Sequence, residues 1–83
     1  PNPFNPTTNI AYDLSKNSFV NISIFDIDGK KVRTLLNRFQ SEGCKTVIWN
    51  GKNDSNVRVA AGIYLYTLLV EDMIQTRKMV LLK

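Results

Sequence analysis

The sequence predicts an all-β fold, an antiparallel β-sandwich of about seven short strands. Three observations lead there. Apolar residues recur with period two rather than 3.6 along several segments. Turn signals separate those segments at spacings of roughly ten residues. No window carries a helical apolar stripe, and Ala11, Ala60 and Ala61 are the chain's entire supply of the best helix former.

The elements follow in order. Pro1, Pro3 and Pro6 are all the prolines of the chain. Proline fixes φ and cannot sit inside a central strand, so residues 1–8 read as the end of a semi-rigid linker after a larger upstream domain. Phe4 is expected to pack onto the sandwich, which occupies residues 9–83. Ile10, Tyr12 and Leu14 alternate with Asn9, Ala11 and Asp13 in a first strand, and residues 15–18 read as a turn. Val20, Ile22 and Ile24 line one face of a second strand. Asp28-Gly29 marks a hairpin into a strand over residues 31–36, because glycine reaches positive φ without cost. Residues 37–43 read as a polar connection ending at Gly43.

A strand over 45–49 puts Val47 and Trp49 on one face, and Asn50-Gly51 opens a polar loop. From Gly62 to Val70 both faces are apolar, which suits a central strand or one lying under another layer. Residues 71–74 read as a turn and 75–83 as the last strand. The expected core is Phe4, Tyr12, Val20, Ile22, Ile24, Val47, Trp49, Tyr64, Tyr66 and Leu68.

Composition narrows function. A chain of 83 residues is one small domain with one thin core. Its stability should be on the order of 4–12 kcal/mol. Histidine is absent and Cys44 is the single cysteine. His-dependent nucleophilic triads and zinc sites of Cys and His therefore cannot be built from this chain. No cofactor is expected, nor is enzymatic activity. The net charge of +4 comes from scattered Lys and Arg rather than a patch, so no nucleic-acid partner is expected. Cys44 reads as a small core or strand residue.

Five stretches carry a resemblance: PNPFNPTT at 1–8, DIDGKKVRTL at 26–35, WNGKND at 49–54, AGIYLYTL at 61–68 and KMVLLK at 78–83. In this order they resemble the C-terminal sorting domains of the type IX secretion system. They equally resemble the immunoglobulin-like domain of the flagellar hook-capping protein. Asn50 stands where that pattern often has Asp, and Cys44 where it is usually polar.

The resemblance implies an immunoglobulin-like β-sandwich at the end of an exported protein, secreted or held at the bacterial cell surface. On the sorting reading the domain addresses its upstream cargo to the outer-membrane translocon, and a sortase-like protease then acts on it. The implied signal residues are Gly62 and Tyr64 with Lys78, Met79, Val80, Leu81, Leu82 and Lys83. The alternatives are a structural module of hook-capping type and a carbohydrate-binding accessory module of a secreted hydrolase.

Two further groups have competing readings. Asp26, Asp28 and Asp54 could offer loop oxygens to Ca²⁺, but turn chemistry explains them better because the full ligand spacing is missing. Trp49, Tyr64 and Tyr66 could stack on sugars, but alternating positions beside aliphatics favour the core.

Overall fold

The computed structural model describes residues 7–82. It contains β1 (Thr8–Leu14), β2 (Ser18–Asp26), β3 (Lys31–Gln40), β4 (Gly43–Trp49), β5 (Gly62–Val70) and β6 (Met73–Leu81). A two-stranded sheet, β1-β4, faces a four-stranded sheet ordered β3-β2-β5-β6, and every pairing is antiparallel. This is the expected all-β sandwich, with six strands rather than about seven. Between β4 and β5 the ladder contact is a single bridge, Lys52 with Arg58.

Three boundaries differ from expectation. Residues 37–40 are strand, not connection. There Asn21 Nδ2 donates to Asn37 Oδ1 at 3.1 Å, and Phe19 lies opposite Phe39. These cross-strand pairs carry the β2–β3 hairpin past its apolar stretch. Ser18 opens β2 instead of closing the turn, and its buried hydroxyl donates to the Lys16 carbonyl at 2.8 Å. The last turn shrinks to residues 71–72, with Glu71 at φ 56.

Burial follows the pleat. Val20, Ile22 and Ile24 on β2 are fully buried, as is Trp49. Ile10, Tyr12 and Leu14 descend onto them from β1, while Tyr64, Met79 and Leu81 come from β5 and β6. Each such side chain contributes about 1.5–3 kcal/mol when removed from water. The register of β2 against β3 shifts after Ile22 and after Ile24. These bulges let β3 turn Val32, Leu35 and Leu36 toward the same core.

The expected core is corrected at three positions: Val47, Tyr66 and Leu68 are only partly buried and pack at its margin. A layer of two strands cannot cover a sheet of four, which leaves Tyr66 and Leu68 on β5 open, while Val47 lies on β4, an edge strand of the small sheet. Phe4 lies outside the described residues.

One ring contact bridges the layers, and two local hydrogen bonds hold its rings in place. Trp49 meets Tyr64 edge-on, with ring centroids 5.1 Å apart and planes at 72°. The Trp49 indole donates to the Lys52 carbonyl at 2.9 Å. The Tyr64 hydroxyl donates back to the carbonyl of Ala60, four residues upstream, at 2.5 Å. That is the tyrosine-corner arrangement found where a sandwich strand begins.

Tyr64→Phe keeps the ring and removes this bond. It should lower stability by about 1–1.5 kcal/mol in urea titrations. Burial pushes the Tyr64 phenol above its ordinary pKa, with Asp26 adding to the effect. The folded state thus holds this proton where the unfolded chain has lost it, so stability should fall as pH rises above about 10. The fall should be shallower in Tyr64→Phe.

Candidate interaction surfaces

The acidic loop residues are occupied by their own backbone. The Asp26 carboxylate accepts from the amides of Asp28 and Lys30, both at 2.9 Å, and closes the hairpin around Gly29 at φ 86. Asp54 Oδ1 accepts from the Thr34 amide at 3.0 Å, while the Asp54 amide donates to the Val32 carbonyl. Arg33 donates to the Asn53 carbonyl at 3.0 Å. The loop after β4 is thereby fastened to residues 32–34 of β3. These carboxylates act as turn and edge clasps, the chemistry that AspGly spacing suggested.

Trp49 and Tyr64 are buried and already partnered, so neither offers a sugar platform. Tyr66 is half-buried at the margin of the core.

The proposed signal residues divide by strand parity. Gly62 lies opposite Leu81, and Tyr64 opposite Met79, so the structure does bring these four together. Tyr64, Met79 and Leu81 belong to the core, whereas Lys78, Val80 and Leu82 are exposed on the other side of β6. Lys83 lies outside the described residues. Gly62 sits at φ 151, a conformation that disfavours other residues although a Cβ there would meet nothing within 4 Å. Removing residues 78–83 would therefore strip two core side chains along with any signal.

The outer face of the four-stranded sheet is the more prominent surface. Residues opposite one another in a ladder share a face. That rule pairs Phe39 with Phe19 and Ile74 with Leu69, and Leu69 lies opposite Asn21, so the two apolar pairs occupy adjacent rows at one end. Ile63 and Val80 pair at the other end, and all six are exposed. Between the ends runs a polar row, Thr34, Ser23, Thr67 and Thr76. Exposed apolar groups concentrated on one face mark contact surfaces on soluble domains. The sequence signal for this face was the double-sided apolarity of residues 62–70.

A second concavity, about 560 Å³, opens between β1 and the β5–β6 ladder. Tyr66, Leu68 and Val70 line it from the core face of β5.

Cys44 is exposed on β4, not in the core. Its strand neighbour Asp13 lies directly opposite, accepts a hydrogen bond from the thiol and adds negative charge. Both effects raise the thiol pKa and keep it protonated. Asp13→Asn should therefore speed alkylation of Cys44 by iodoacetamide at neutral pH, followed by mass spectrometry. An unchanged rate would mean that Asp13 does not control the thiol.

The sequence profile of the FlgD Ig-like domain matches residues 4–73. Among solved structures, the crystal structure of FlgD from P. aeruginosa superposes with a TM-score of 0.71 at 22% identity, covering 90% of this chain and 59% of that one. The chain thus spans little more than half of that protein and shares its fold. A comparison with curated proteins gives no match.

Proposed function

Since the chain belongs to the FlgD Ig-like domain family, we propose that it is a structural immunoglobulin-like module of hook-capping type, working by contact with protein partners and not by catalysis. The observation that carries this is the family match across most of the chain, joined to the apolar outer face of the four-stranded sheet. The hook-capping branch of the resemblance gains support from both the profile and the structural likeness, and the sorting branch gains none. On this reading the partners are subunits of an extracellular rod or hook. The domain acts beyond the inner membrane as part of a longer exported polypeptide.

The chemistry agrees with a contact role. A sheet face with Phe19, Phe39, Leu69 and Ile74 exposed gives apolar area at one end, and Lys31 and Lys78 stand on its two edge strands. Such a face can bury a partner's apolar residues while its rim stays hydrated. Gly62, Tyr64, Met79 and Leu81 then serve to hold the sheet that presents it.

The test replaces Phe39 and Ile74 by Lys in the full-length protein. Both are exposed, so circular dichroism and the melting temperature should barely change. Binding to purified rod and hook subunits should weaken about tenfold or more, as the loss of apolar anchors usually brings. Unaltered binding would remove the outer face from the proposal. Failure of the parent protein to bind any rod or hook subunit would overturn the hook-capping reading. If instead Lys78→Glu with Val80→Lys blocked export of an upstream cargo, the sorting reading would replace it.

A further inference from the structure

The groove beside β1 is separate from the outer face and combines two features seldom left together. The first is an apolar floor. Tyr66, Leu68 and Val70 occupy core-facing positions of β5, yet they remain only half-buried. The second is an open strand edge. Among the described strands β1 pairs with β4 alone, so its other edge carries unpaired N–H and C=O groups. The far wall is β6, whose core-facing Gln75 and Arg77 are exposed because no strand of the small sheet lies over them.

We propose that this groove receives one extended strand of a partner polypeptide, added antiparallel to β1 as the third strand of the small sheet. Strand addition needs what is present here: main-chain groups to pair with and a floor that accepts alternate side chains. From Tyr66 to Val70 the floor spans about 13 Å at roughly 3.3 Å per residue. It therefore takes two consecutive inward-facing side chains of the guest, and these are apolar.

Charge sets the guest's direction. Glu71 and Asp72 stand at the Leu14 end, where Lys16 is the single cation. Arg77, opposite Tyr66, stands at the other end. A strand antiparallel to β1 begins at the acidic end and finishes near Arg77. The guest thus has a basic residue first, two alternating apolar residues, then an acidic one.

β6 extends past β1 on this side, so a strand added to β1 lies over Gln75 and Arg77. This proposal rests on the reading of the domain as a contact module. It uses a surface that the Phe39 and Ile74 variants leave untouched, so either can fail alone.

The probe is a capped peptide, Lys-Thr-Val-Thr-Val-Thr-Glu, titrated into the ¹⁵N-labelled chain of 83 residues. Its charge-reversed partner, Glu-Thr-Val-Thr-Val-Thr-Lys, is run beside it. The first peptide should shift the amides of β1 and of Gln75–Arg77, and slow hydrogen exchange along β1. Arg77→Glu, at an exposed site, should weaken it about fivefold and favour the reversed peptide instead.

Four results would overturn the proposal. They are no shift in β1 at millimolar peptide, shifts confined to the outer sheet face, equal affinity for both peptides, and β1 shifts that grow with protein concentration when no peptide is present. The last would make a second copy the occupant.

Discussion

One apolar layer, a single side chain deep, holds this domain together. Val20, Ile22 and Ile24 project from β2 into the space between the sheets and are fully buried there. β2 is also the strand that joins β3 to β5, so its register fixes the large sheet, and its inner row fixes where β1 and β4 can rest. A chain this short has no second core to share the work. Trp49 and Tyr64 fill the end of the layer and are held in place by hydrogen bonds to nearby carbonyls, so bulk and polarity are satisfied together.

With the interior so thin, the polar side chains of the loops act mainly on their own backbone. Asp26 closes one hairpin. Asn53 accepts from the amides of Ser55 and Val57, and Asp54 clasps the β3 edge. What remains for recognition is surface supplied by the sheets themselves. One surface is the outer face with its two apolar ends and hydroxyl row. The other is the margin where a small sheet fails to cover a larger one. Both arise from packing, which is why a domain without histidine can still carry a specific role.

The strands and their inward rows were legible because period two is written directly in residues such as Ile10, Tyr12 and Leu14. The limits of the strands were less so. Asn37 and Phe39 extend β3 through pairs with Asn21 and Phe19, and no single segment displays such a partner. The partial exposure of Tyr66 and Leu68 depends on how many strands lie above them, which is a property of topology and not of local pattern.

Two placements follow from strand parity. With Trp49 inward, Val47 and Lys45 share its face, and Cys44 must point away. With Tyr64 inward, its partner Met79 and then Leu81 must follow it, so the stretch 78–83 could never present all its side chains to a receptor.

The pairing of β1 with β4 encloses the whole β2–β3 hairpin within the chain between them. Nothing local brings these two strands together, and their closure costs loop entropy that is offset only once the hairpin supplies a surface to land on. The small sheet is therefore a late arrival during folding. Amide exchange under native conditions should read this order as weaker protection along β1 and β4 than along β2 and β5.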